Sequence, residues 1–144
     1  MTAFVLDASV TAAWLLPDTA SEHTRRLYAL IRRDEVEPQA PNLWQWECSN
    51  ILANGVSSGR IPAASVEGLW GVLEAIRHRV ELHELAPAQH KAVLDVALET
   101  GLPTFDAAYL WLARSLRLPL ATFDPDQAAA AQRSGIPLFD LSSL

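Results

Sequence analysis

The chain has 144 residues, the length of one compact domain, and half of them are apolar against 19% charged, which excludes disorder and leads us to expect a single unit over residues 1–144. Seventeen acidic against 11 basic residues, a net charge of −6, exclude a protein that holds nucleic acid by broad phosphate neutralisation; a nucleic-acid function would have to bring its own cations. The lone Cys48 excludes an internal disulfide, no apolar stretch approaches the roughly 20 residues of a membrane span, and Met-Thr-Ala ahead of Phe4 lacks a signal peptide's basic start, so a cytoplasmic protein without a membrane partner is expected.

Residues 3–6 read as a short buried strand, closed by Asp7 and followed by a helix from about Ser9 to Leu16 that Pro17 ends. Residues 19–33 continue as a helix with Leu27, Leu30 and Ile31 on one side and Arg25, Arg26, Arg32 and Arg33 toward water. Residues 37–40 form a second strand, and Pro41 opens a helix through Asn54 before the turn Ser57-Ser58-Gly59. Between Pro62 and Arg79 an amphipathic helix carries Val66, Leu69, Trp70, Leu73 and Ile76 in one apolar stripe. Residues 80–85 alternate as a strand, residues 87–100 return to helix, Gly101-Leu102-Pro103 breaks it, and residues 104–116 are a helix with few polar positions. A strand over 118–123, a helix over 125–134 and a last short strand over 136–139 complete the chain. Strands alternating with helices imply an α/β fold, a parallel sheet covered on both faces.

Four acids stand in otherwise apolar surroundings: Asp7 in FVLDASV, Glu47 in LWQWECSN, Asp106 in PTFDAAYLWLA and Asp124 in LATFDPD. Carboxylates seldom enter such company without partners. Asp7 and Asp124 directly follow strands, and in an open parallel sheet the carboxyl ends of the strands share one rim where ligands bind. Asp106 opens a helix that can face the same rim, and Glu47 shares a helical face with Leu43, Asn50 and Ile51. Each acid also has a structural reading: Asp7 and Asp124 as helix N-caps, Asp106 as the partner of a helix dipole, and Glu47 as half of a buried ion pair with an arginine. Glu47 lies inside a helix, where capping cannot account for it. If the four meet, their repulsion calls for a cation, and carboxylates without His or Cys suit Mg2+ or Mn2+ and phosphoryl chemistry. The scattered His23, His78, His83 and His90 take no role. Ser9 and Thr122 stand two residues from Asp7 and Asp124, placed to hold the acids or a phosphate, or to cap. No G-x-S-x-G elbow or phosphate-binding glycine loop offers a competing catalytic design.

FVLDASVTAAWLLPD, ECSNIL, FDAAYLWLA and LATFD follow one another in the order and approximate spacing of the PIN-domain ribonucleases, and the chain resembles in particular the VapC-type toxins from Phe4 to Phe139. The resemblance implies a three-layer α/β/α fold around a parallel sheet and an acidic Mg2+ or Mn2+ site made by Asp7, Glu47, Asp106 and Asp124, with Ser9, Asn50 and Thr122 at positions near it. It also implies endonucleolytic cleavage of RNA, homodimerisation and inhibition by a cognate antitoxin lying in an apolar groove, for which the Val66 to Ile76 stripe with Trp44 or Trp46 would supply surface. One departure stands out: Asp124 is followed by Pro-Asp-Gln-Ala without the basic residues that often come next, and Asp126 competes with Asp124 for the fourth acidic place. Two other readings stay open, a related nuclease for DNA or structured nucleic acid, and an inactive PIN-like binding module.

Overall fold

Phe4, Val5 and Leu6 are apolar at successive positions, which suits a strand covered on both faces; in the computed structural model, which describes residues 2–144, all three are fully buried in β1 (Thr2–Leu6). Three more strands follow: β2 (Val36–Pro41), β3 (Glu81–His83) and β4 (Leu120–Ala121). They pair in parallel in the order β3-β2-β1-β4. The helices are α1 (Ala8–Leu15), α2 (Glu22–Arg32), α3 (Leu43–Ser57), α4 (Val66–Arg77), α5 (Pro87–Thr100), α6 (Thr104–Leu116) and α7 (Pro125–Arg133). α6 packs on β1, β2 and β4 with α5 and α7 beside it, while α1, α2, α3 and α4 pack on one another and α2 and α3 on β2. The result is the three-layer α/β/α arrangement expected from the alternating pattern. Among the described residues no helix is long and apolar enough to cross a membrane.

Two indoles, one buried and one half-buried, fix the first helical layer. Trp44 is fully buried and its Nε1–H donates to Thr11 Oγ1 at 3.0 Å, tying α3 to α1. Trp14 Nε1–H donates to the Thr24 carbonyl at 2.7 Å, tying α1 to α2. Cys48, one turn beyond Trp44 on α3, is also sealed in the core.

The strand and helix ends differ from expectation where proline acts. Pro41 does not open a helix: it ends β2, paired in register with His83, and α3 begins at Leu43. Proline has no N–H to give a ladder, so the end of a strand suits it. The last strand over 136–139 shrinks to a single parallel bridge between Leu120 and Leu138, because Pro137 again lacks a donor. Phe139 still reaches the core, its ring stacked on Phe4 with centroids 4.4 Å apart. β3 and β4 are likewise shorter than the segments 80–85 and 118–123, and α2 starts at Glu22 behind a capping box of Ser21 and Thr24. The α4 stripe divides: Leu73 and Ile76 are buried, Val66 and Leu69 half-buried, and Trp70 exposed.

Candidate functional site

β1 and β4 are parallel neighbours, so the residues that follow them emerge side by side at one sheet edge. Asp7, only 5% exposed, N-caps α1 by accepting the Ser9 N–H on Oδ2 at 3.1 Å. The same oxygen accepts the Thr122 hydroxyl at 3.1 Å. Thr122 Oγ1 in turn accepts the Asp124 N–H at 3.0 Å, and Ser9 Oγ, 3.3 Å from it, accepts the Phe123 N–H at 2.9 Å. The two hydroxyls thus lock the first acid to the segment that carries the last.

Glu47 reaches the same edge from α3. Its Oε1 accepts the Tyr109 hydroxyl at 2.5 Å, and Tyr109 lies one turn after Asp106 on α6. No arginine pairs with Glu47 among the described residues, so the buried ion pair is replaced by a phenol. The fully buried Gln127 completes the inner wall from α7: its Nε2 donates to the Asp106 carbonyl at 3.1 Å and, more weakly, to Asp7 Oδ1 at 3.5 Å. Its Oε1 is buried without a partner.

The electrostatics bind these acids into one group. Burial raises the Asp7 carboxyl above its ordinary 3.8, against the pull of hydrogen bonds from Ser9, Thr122 and Gln127. Burial also raises Glu47, opposed by the Tyr109 hydrogen bond and reinforced by the charges of Asp7 and Asp106. Asp106 is raised by burial first, then by Asp7, Asp124 and Asp126. Tyr109 is pushed well above 10 by burial and by Glu47 and Asp7, which keeps it a hydrogen-bond donor. The charge of Asp7 thus reaches both Glu47 and Asp106, and Gln127 Nε2 bridges Asp7 to the Asp106 backbone.

Asp124 N-caps α7, its Oδ1 accepting the N–H of Asp126 at 2.9 Å and of Gln127 at 3.3 Å. Asp126 is exposed on the outer side of the rim, lining a cavity with Asp106. Asn50 is also exposed, and no hydrogen bond joins its side chain to the acids among the described residues; three positions past Glu47, it is turned about 60° round the helix toward solvent. Gln127 and Tyr109 escape the sequence reading. Tyr109 stands at i+3 from Asp106, a spacing that could have found it, whereas Gln127 in an alanine-rich helix carries no such signal.

The donors are all oxygens, which suits a hard cation, and the shared repulsion of the acids and the unpartnered Gln127 Oε1 both leave room for one with bound water. Among the described residues, however, no three Asp, Glu, His or Cys side chains are gathered tightly enough to hold a metal ion by themselves. An ion here would have to keep part of its hydration shell, as Mg2+ ordinarily does.

No match to the chain was found among curated proteins. Among solved structures it is similar to PAE2754 from Pyrobaculum aerophilum, at 27% identity and a TM-score of 0.66 over 90% of this chain and 79% of that one. It is also similar in fold to FitAcB from Neisseria gonorrhoeae, at 17% identity and a TM-score of 0.63 over 98% of this chain and 99% of that one. The family model described as the PIN domain matches residues 4–133. PIN domains are generally nucleases, and PIN nucleases generally use divalent metal ions. With that match over most of its length, the chain belongs to the PIN-domain family.

Proposed function

We propose that the chain is a Mg2+- or Mn2+-dependent endoribonuclease that acts in the cytoplasm as the toxin of a toxin-antitoxin pair, residues 1–144 working as a single nuclease domain. The observation that carries this reading is the set of partly or fully buried carboxylates at the carboxyl edge of the sheet, where burial raises Asp7 and burial with the charge of Asp7 raises Glu47 and Asp106, a strain that a bound cation would relieve near neutral pH. The toxin assignment draws on the order of the VapC-like segments.

A divalent ion bound here would supply a water of lowered pKa and offset charge on the leaving oxygen of a phosphodiester. Asp7 and Asp106 would hold it most directly. Glu47, aimed by Tyr109, would complete or orient its shell, and Asp124 would help to position the ion or water with its second oxygen, since Oδ1 is engaged by α7. Ser9 and Thr122 keep Asp7 and Asp124 in register, and the exposed Asn50 and Asp126 are left for second-sphere or substrate contacts. The antitoxin segment is proposed to lie in a groove of about 510 Å3 between α1, α2 and α4, walled by Trp14, Leu16, Tyr28, Ile61, Leu69 and Val72, in place of one lined by the whole α4 stripe with Trp44 or Trp46, because Trp44, Leu73 and Ile76 are buried. Exposed Trp46, Leu94, Leu98 and Phe105 would supply apolar surface for a homodimer.

Asp7→Asn and Asp106→Asn should each abolish RNA cleavage and growth inhibition while circular dichroism shows the fold intact; activity retained in either defeats the reading. A DNA strand assayed alongside separates a ribonuclease from a nuclease of broader substrate. The capping duties of Asp7 and Asp124 favour a second reading, an inactive binding module whose acids are structural. Mn2+ discriminates: it should raise the melting temperature of the wild type, and less so that of Asp7→Asn, whereas a binding module shows no such shift.

A further inference from the structure

A substrate phosphate has to approach a rim that carries Asp106, Asp124 and Asp126, and the residues just after Asp124 offer no cation to meet it. The other end of α7 does. Asp126, Ala129 and Arg133 recur at helical spacing on α7, and all three line a cavity of about 290 Å3 together with Asp106, Gly101 and Pro103. That is the volume of roughly ten water molecules, enough for a phosphate and its sugar. Arg133 is the one basic residue in this lining. Among the described residues it makes no ion pair, whereas Arg60, Arg77, Arg79 and Lys91 are each held by a carboxylate.

We propose that Arg133 is the phosphate anchor of the acidic rim: its guanidinium takes the non-bridging oxygens of a backbone phosphate in single-stranded RNA and so presents the neighbouring linkage to Asp106. The proposal rests on the nuclease reading above. A guanidinium is permanently charged, and its planar fork matches two phosphate oxygens at once. Set in the last turn of α7, Arg133 also complements the helix dipole, so an experiment has to separate anchoring from helix support.

The full chain is assayed with Mn2+ on single-stranded RNA across a range of NaCl concentrations, as wild type, Arg133→Gln and Arg133→Lys. Arg133→Gln should raise KM roughly tenfold with little change in kcat. It should also flatten the slope of log KM against log salt by about 0.7, the loss of one phosphate contact in a single strand. The loss should be equal for strands of different base sequence, because a phosphate carries none, and Arg133→Lys should recover much of it. An unchanged KM and salt slope, a loss confined to kcat, or a penalty that depends on base sequence overturns the anchor. So does a lowered melting temperature with KM unchanged, the signature of helix support alone. If the wild type cleaves no RNA, the nuclease reading itself has failed and the anchor falls with it; if the wild type cleaves and Arg133→Gln behaves like it, only the anchor is lost.

Discussion

Asp7 and Glu47 form the inner half of the acidic rim and are each held by hydrogen bonds from other elements, whereas the side chain of Asp106, in the outer half, accepts none among the described residues and Asp124 gives an oxygen to its own helix. The contrast separates two ways of keeping a carboxylate in a poor environment. In the inner half, directed donors offset part of the desolvation and fix the geometry whether or not an ion is bound. In the outer half no other element among the described residues holds the side chains: Asp106 accepts no hydrogen bond and Asp124 keeps its second oxygen free of its own helix, so those oxygens can follow an ion or a phosphate. The inner half is a template and the outer half an adaptor.

The widest test of that contrast compares alanine with asparagine at both places. Asparagine keeps an acceptor and removes the charge, while alanine removes both. At Asp7, alanine removes the acceptor of the Ser9 N–H and of the Thr122 hydroxyl, while Gln127 keeps the Asp106 carbonyl, so Asp7→Ala should be less stable than Asp7→Asn by about 2 kcal/mol in urea denaturation. At Asp106 the same pair should differ by less than about 0.5 kcal/mol, as at an ordinary surface site. Equal gaps at the two positions would erase the distinction.

A second test uses pH in the metal-free protein. Asp7, Glu47 and Asp106 are all raised in the folded state, so they take up protons there before the unfolded chain does. Their contribution is fully present below the ordinary values of 3.8 and 4.5 and is lost as pH rises through the elevated ones. Asp106→Asn should therefore be the more stable protein near neutrality, with the gap closing as the buffer approaches about pH 4. Denaturation in EDTA over that range measures it, and a gap independent of pH would show that Asp106 feels neither burial nor its neighbours. The smallest expected effect lies at Tyr109→Phe, which keeps the ring and removes the donor to Glu47: about 1 kcal/mol or less of stability and a weaker response of the melting temperature to Mn2+. A response to Mn2+ equal to that of the wild type would mean that Glu47 needs no help in facing the site.

How much of this could be read from the amino acids varies with the residue. Asp7 and Asp124 announce themselves because each ends an apolar run, and the strand before each fixes where it emerges. Glu47 is visible because no helix end is near enough to explain it. Pro41 misleads, since proline suits both the first turn of a helix and the last residue of a strand, and only the pairing with His83 decides. Asn50 shows the limit of helical spacing, which assigns a face but not how far round it the burial extends. Gln127 and Arg133 are hidden for a different reason: in PDQAAAAQR the alanines leave no apolar stripe sharp enough to tell the covered side of α7 from the open one, so a fully buried amide and an exposed guanidinium look alike.

The sealing of Cys48 on α3 has a practical consequence. Burial first, then the neighbouring carboxylates of Glu47 and Asp7, keep its sulfur protonated, and a protonated, enclosed thiol does not react with alkylating reagents. Labelling then proceeds only when α3 lifts from the core, and with one thiol in the chain every molecule modified at cysteine records one such opening. The native sequence thus carries its own clock for the exposure of the helix that holds Glu47, readable by mass spectrometry without adding a probe.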